Sequence, residues 1–150
     1  MRKCTEQDFY FFNEGKEYHA YKFMGVHKAD GDGYMFIVWA PDVKSVRVIS
    51  DYNAWDESGY YMEPVGKTGA WTATLPYAYE GIRYKYLVET KEGKLLYKAD
   101  PYAFESEVRP DTASVVHEIN YKWKDKKWIE KRSQTNHFEQ PKNIYEVHLG

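Results

Sequence analysis

Apolar and polar positions change rhythm twice along the chain. Over residues 5 to 25 the spacing is helical: Phe9 and Phe12 share a face, Asp8 follows Thr5 by three as in a weak capping pattern, and Gly15 can end the helix. Tyr18, Tyr21 and Phe23 suggest a second short turn that closes before Gly25. Both pieces are too short to be stable alone, so the pattern predicts that they dock on something larger. From residue 26 to 120 the period falls to two. Tyr34 to Ala40 is apolar on both faces, as a central strand would be, which places Trp39 in the core. Pro41 and Asp42 turn the chain into Ser45 to Ile49, and Trp71, Ala73 and Leu75 alternate with Ala70, Thr72 and Thr74. The clearest alternation sets Ile82, Tyr84, Tyr86 and Val88 on one face and Arg83, Lys85 and Leu87 on the other. Leu95 to Lys98 and Ala113 to Val116 read as further strands, with turns at Asp30 to Gly33, Gly66 to Gly69, Glu80-Gly81 and Glu92-Gly93. The pattern predicts an all-β sandwich over 26–120 with a short helical N-terminal appendage over 1–25.

Beyond residue 120 the rhythm breaks again. Lys122 to Arg132 is basic and carries Trp123 and Trp128, and a polar stretch leads from Ser133 to Pro141, so 121–143 reads as a linker. Ile144 to Leu149 then resumes a strand pattern just before Gly150. A hydrophobic strand after a linker, with nothing to pair with, is expected to open a further domain, so the chain is read as part of a longer protein.

Composition narrows the function. Aromatic residues reach 18%, with 15 Tyr, 7 Phe and 5 Trp, which favours β-structure and leaves rings available for ligands. A net charge of −2 supplies no field for nucleic acid or an anionic membrane, and no apolar run approaches membrane-spanning length. The basic stretch also contains Asp125 and Glu130, which favours docking onto another domain over nucleic-acid binding. Cys4 has no partner for an internal disulfide and the first residues lack the apolar core of a signal peptide, so a cytoplasmic setting is expected and Cys4 reads as a spare thiol. No phosphate loop, dinucleotide fingerprint or nucleophile elbow is present, and no cofactor is expected. His19, His27, His117, His137 and His148 lack ligand spacing, so no metal site is expected. Carboxylates sit at turns and strand ends beside lysines, and no pair is placed to flank a glycosidic bond, so no catalytic residue is assigned.

The most informative segment is Ser50-Asp51-Tyr52-Asn53-Ala54-Trp55-Asp56. Asp and Asn suit a turn held by side-chain bonds to backbone. Trp55 has two readings here, folded back into the core or standing at the surface as a platform for the C–H face of a sugar ring. In the second, Asn53 and the outward-facing Lys85 supply polar partners at the rim. Tyr97 reads equally as a second aromatic wall or as sheet packing.

The chain resembles the amino-terminal part of bacterial glycogen (1,4-α-glucan) branching enzymes. The resemblance rests on Phe36 to Pro41, Asp51 to Asp56, Gly81 to Tyr86, Lys98 to Ala103 with Arg109 to Ser114, and Ile144 to Gly150, and covers residues 18 to 150. The first three segments recur across isoamylase-type α-glucan-binding modules, including those of debranching enzymes and the glycogen-binding subunits of a metabolic kinase; the others are more particular to branching enzymes. The resemblance implies an immunoglobulin-like β-sandwich that binds α-1,4-glucan (glycogen and maltooligosaccharides) or positions a catalytic (β/α) barrel of the same chain, with 144–150 as the first strand of that barrel. The whole enzyme would move α-1,4-glucan segments onto 6-hydroxyls, with catalytic carboxylates beyond Gly150. Trp55 and Lys85 fall on positions that contact glucan in the kinase modules, Asn53 neighbours them, and Tyr97 falls where those modules carry a second aromatic. The loop departs from the commoner Gly-Asp-Phe-Asn-Gly-Trp-Asp form at Ser50, Tyr52 and Ala54. Two rival readings are the front of a debranching enzyme or trehalose-releasing hydrolase, and a non-enzymatic glycogen-targeting module. The Lys98 to Ala103 and Arg109 to Ser114 segments argue against the first, and the strand after the linker argues against the second.

Overall fold

The structure is a computed structural model that describes residues 5–136 and 138–149, so Cys4, His137 and Gly150 lie outside it. Helix α1 (Glu6–Asn13) opens the described chain, followed by a 3-10 turn at Ala20–Lys22. Ten strands follow: β1 (Gly25–Lys28), β2 (Tyr34–Trp39), β3 (Val43–Ser50), β4 (Tyr60–Tyr61), β5 (Glu63–Pro64), β6 (Ala70–Leu75), β7 (Arg83–Thr90), β8 (Leu95–Lys98), β9 (Glu105–Ser106) and β10 (Ser114–Val115). Helix α2 (Lys126–Ser133) comes last. Contacts divide the chain into two compact units, one through Ile119 and one from Asn120.

The first unit is a two-sheet antiparallel sandwich. Sheet A has the order β1-β2-β6-β5. Sheet B runs β4-β3-β7-β10-β9, with β8 pairing β7 beyond the reach of β10. The alternation read from the sequence sets the faces. Tyr34, Phe36 and Val38 meet Val46, Val48, Tyr84, Tyr86 and Val88 between the sheets, with Ile82, Leu75 and Val116 closing the same cluster. Phe36 meets Tyr84 edge-on with ring centroids 5.1 Å apart.

The other face of β2 is buried too, under the N-terminal segment. Phe9, Ala20, Phe23 and Met24 pack with Ile37 and Ala70 in a second cluster, so β2 is apolar on both faces because α1 covers its outer side. Thr5 and Asp8 close α1 as a reciprocal capping box. The covering ends at Phe12, whose ring lies 6.0 Å from that of Trp39. Trp39, expected in the core, is therefore at the rim: it is 44% exposed and donates its indole N–H to the Thr68 carbonyl at 3.3 Å.

The open side of the sandwich is closed by the segment after β8. Asp100 is buried there, and its Oδ2 accepts from the Tyr84 hydroxyl at 2.7 Å and the Tyr86 hydroxyl at 3.1 Å. Its Oδ1 accepts from the Tyr102 N–H at 2.8 Å, and its own N–H donates to Ser114 Oγ. Burial raises the Asp100 carboxyl above its usual range, against the lowering effect of these donors, and raises both phenols. Tyr102 then lies against Gly25 so closely that a Cβ there would stand 2.8 Å from the Tyr102 carbonyl oxygen, at a φ of +86°.

The second unit holds α2 within the stretch read as a linker; Trp123 and Trp128 are exposed, with the Arg132 guanidinium 5.3 Å from the Trp128 ring. Residues 144–149 have no strand pairing among the described residues, and Ile144, Tyr145, Val147 and Leu149 are exposed.

Two stability outcomes are expected. Asp100→Ala removes the acceptor of two buried hydroxyls and a part-buried N–H, which should cost about 3–5 kcal/mol in urea unfolding. Trp39→Ala should cost only about 1–2 kcal/mol, because the indole is half in water, against roughly 3–5 for a fully buried Trp; a larger loss in the same experiment would put Trp39 back in the core.

Candidate functional site

The outward face of sheet B is built by register. Arg47 lies opposite Leu87, Ile49 opposite Lys85, and Tyr97 opposite Leu87 on the other flank, so Lys85, Leu87, Ile49 and Tyr97 share one face. Ile49 and Leu87 are fully buried although they belong to neither hydrophobic cluster of the sandwich. The loop from Asp51 to Gly59 lies on this face. A Cβ on Gly59 would stand 3.1 Å from Ile49 Cγ2, and Arg47 Nη1 donates to the Glu57 carbonyl at 2.9 Å.

A 3-10 turn, Asp51–Asn53, opens the loop. Asn53 Oδ1 accepts the Ser50 N–H at 2.8 Å and its Nδ2 donates to the Asp56 carbonyl at 2.9 Å, so this side chain pins the loop to itself. Ala54 and Trp55 follow at φ of +52° and +62°, left-handed backbone that turns the indole back over the turn. There the Trp55 indole N–H donates to Asp51 Oδ1 at 3.0 Å, and the ring is partly buried.

Asp51 joins the loop to the sheet. Both its oxygens receive the Arg83 guanidinium at 2.8 Å, and Arg83 also reaches Glu107 at 3.1 Å. The guanidinium holds the Asp51 carboxyl below its usual range, helped by the Trp55 N–H. The sign is that of a lowered acid: this stabilisation is present above the ordinary carboxylate pKa and is lost as pH falls through the lower folded value. Lys85 donates to Thr112 Oγ1 at 2.8 Å. Tyr97, 50% exposed, donates its hydroxyl to the Glu57 carboxylate, which raises the phenol.

Lys85 and Tyr97 thus share the outward face of sheet B with buried Ile49 and Leu87, and Trp55 is tied to β7 through Asp51 and Arg83. Asn53 serves the loop backbone first. Sequence reasoning missed Asp51, Arg83, Glu57 and Arg47, which fix the rings. The pairing of Asp51 with Arg83 spans a separation that no local pattern shows, although Arg83 and Lys85 were both legible as outward-facing. Elsewhere, His27 Nε2 is 2.9 Å from the Met24 carbonyl and His117 lies 3.0 Å from Glu105. No group of three or more His, Cys, Asp or Glu fit to hold a metal ion is found among the described residues.

Comparison with known proteins gives a consistent picture. The sequence pattern of carbohydrate-binding module 48 (isoamylase N-terminal domain) matches residues 23–103. The chain is 49% identical over 151 aligned positions to the 1,4-alpha-glucan branching enzyme GlgB of Francisella tularensis subsp. mediasiatica (strain FSC147), covering 97% of this chain and 24% of that protein. It is 45% identical to the 1,4-alpha-glucan branching enzyme GlgB 1 of Clostridium perfringens (strain 13 / Type A), over 97% of this chain and 22% of that one. The chain therefore spans about a quarter of the length of the curated relatives it matches. Among solved structures it is similar in fold to the pullulanase of Anoxybacillus sp. LM18-11 complexed with maltotetraose, with a TM-score of 0.54 and 24% identity over 85% of this chain and 16% of that one. The maltotriose complex of the PulA G680L mutant from Klebsiella pneumoniae gives a TM-score of 0.55 at 22% identity, over 69% and 12% of the two chains.

The left-handed pair in the loop carries a measurable cost. Ala54 occupies the position that is glycine in the commoner form of this loop, at φ +52° and ψ +32°. Ala54→Gly should stabilise the fold by about 0.5–1 kcal/mol, since left-handed backbone is disfavoured for a residue with a Cβ. A thermal melt checks it; a lower melting temperature would show that the Ala54 methyl contributes packing that outweighs the strain.

Proposed function

Because the chain belongs to the carbohydrate-binding module 48 family, we propose that its own task is to hold α-1,4-glucan for a catalytic domain that continues the same polypeptide. The proposed parent is a cytoplasmic glycogen branching enzyme, which transfers α-1,4-glucan segments to form α-1,6 branches. The identity to GlgB proteins over nearly the whole chain supports that parent. Nothing in the transfer is assigned to this chain. Its carboxylates on the candidate face act as acceptors for Arg83 and Tyr97, and Asp51, held ionised by Arg83, is not suited to giving up a proton near neutral pH. The exposed apolar residues of 144–149 support reading that segment as the first strand of a barrel whose other strands lie outside the chain. No helix among the described residues is long and apolar enough to cross a membrane.

One observation supports the binding reading: Lys85 and Tyr97 share one sheet face, and the Trp55 loop is tied to the same sheet through Asp51 and Arg83. A glucose ring stacked on the indole would have its hydroxyls within the field of Lys85 and Arg83 as donors and Glu57 as an acceptor. The Trp55 side chain is fixed by Asp51 before ligand arrives, so little rotamer entropy is lost on binding. Tyr97, half exposed beside Glu57, supports the second-wall reading.

Trp55→Ala should weaken binding of maltoheptaose by about thirtyfold or more, as expected for a central aromatic anchor, while Lys85→Ala at the rim should cost less. Calorimetric titration with a melting curve for each variant tests it. A wild-type chain that takes no heat at millimolar maltoheptaose, or a Trp55→Ala chain that is unfolded, would assign this face to packing against the catalytic domain.

A further inference from the structure

Arg83 and Lys85 occupy alternate positions of β7, and a single turn holds both cations. Strand β10 pairs β7 at Tyr84 and Arg83, and β9 pairs β10, so the turn from Glu107 to Ala113 lies beside the start of β7. A side chain closes this turn where the backbone ladder runs out. The Glu107 N–H donates to the Ala113 carbonyl at 3.0 Å, and the Ala113 N–H donates to Glu107 Oε2 at 2.8 Å. The other carboxylate oxygen, Oε1, accepts from Arg83 Nη1 at 3.1 Å. At the far end of the same turn, Thr112 Oγ1 accepts from Lys85 Nζ at 2.8 Å.

We infer that this turn sets the candidate face: Glu107 is a positioning residue for Trp55, acting through Arg83 and Asp51, and Thr112 is one for Lys85. Arg83 gives Nε and Nη2 to Asp51 and Nη1 to Glu107, so its planar guanidinium is held from two sides. The same Asp51 Oδ1 that accepts Nη2 also accepts the Trp55 indole N–H. A swing of the guanidinium therefore moves the acceptor from which the indole hangs. Glu107 opposes that swing from the hairpin side. Its side chain is only 15% exposed and its second oxygen is tied to backbone, so it is a stiff anchor where a solvated carboxylate would be a loose one. Thr112 acts differently. A lysine stem has many rotamers, and a neutral hydroxyl fixes the ammonium without cancelling its charge, which leaves its remaining donors for a ligand. Residues 108–112 are exposed, so a contact that displaces the turn loosens both cations from outside the core. The consequence for glucan rests on the function proposed above; the bonds from the turn to β7 do not.

The test is an NMR comparison of the 150-residue chain with its variants, each read free and then titrated with maltoheptaose. Glu107→Gln keeps an acceptor for the Ala113 N–H and loses the charge that holds Arg83. Its Trp55 indole N–H signal should move in the free chain while the Lys85 ε-methylene signal stays in place. Thr112→Val should do the reverse. Asp111→Ala changes the charge of the same turn but touches neither link, and should move neither signal. Glu107→Gln and Thr112→Val should each weaken maltoheptaose about two- to fivefold, the span of an exposed charged contact, and Asp111→Ala should not. Glu107→Asp, charged but one methylene too short to span both partners, reads the first link in the same way if Glu107→Gln does not fold. Failure of either link overturns the inference that one turn governs both, and so does equal movement in Asp111→Ala. A wild-type chain that binds while both free-state signals hold still in the variants keeps the binding reading and removes the positioning. Signals that move as expected in a chain that takes up no maltoheptaose keep the positioning and remove the binding reading.

Discussion

A buried carboxylate is what the closed form of the sandwich depends on. Asp100 takes two core hydroxyls from one strand on a single oxygen and the Tyr102 backbone on the other. An ion in that position is costly to desolvate, and burial pushes its pKa up. The cost is offset because every partner is a donor and each is itself buried or part-buried, so none finds a better acceptor in water. Tyr84 and Tyr86 can then carry hydroxyls into a hydrophobic interior without leaving them unsatisfied. The same carboxylate fixes the chain reversal that brings Tyr102 against Gly25, so one polar group joins β7 of sheet B to the edge strand of sheet A.

Around that centre both outer faces of the sandwich are covered, each by a different device. Sheet A is covered by the N-terminal helix, through Phe9, Phe23 and Met24 on Ile37 and Ala70. Sheet B is covered by a loop, which hides Ile49 and Leu87 and folds its tryptophan back onto Asp51. The difference in cover determines what each face offers to solvent. A helix laid by apolar contact leaves a dry, closed surface. A loop held by Asn53, Asp51 and Arg47 leaves rings and charged ends at the water boundary, where a polyhydroxylated ligand can meet both.

Much of the architecture was legible because its faces obey a period of two. Ile82, Tyr84, Tyr86 and Val88 are all buried, and Lys85 does face outward, as alternation requires. Trp39 was misread for a physical reason. A strand apolar on both faces signals two coverings, but the pattern does not tell how far the second one reaches, and here it stops at Phe12. The helix at Lys126–Ser133 was hidden by its composition, since its apolar residues Trp128 and Ile129 are adjacent and define no stripe. At the candidate site the rings could be named from the sequence, whereas the clamps could not. Asp51 and Arg83 are 32 positions apart, and Arg47 reaches Glu57 ten positions on and Glu89 forty-two positions on.

The covering helix has a consequence for anyone who would move this module. The sequence pattern shared with other carbohydrate-binding modules begins at residue 23, yet Phe9 and Ala20, before that point, shield Ile37 and Ala70. A transplant cut at that N-terminal boundary would keep the candidate face of sheet B and leave the outer side of sheet A as a bare adhesive patch. The portable unit is therefore longer than the recognisable one: its borders are drawn by what must be kept dry, and a chimera designed on homology alone would be tuned for ligand and doomed in solubility.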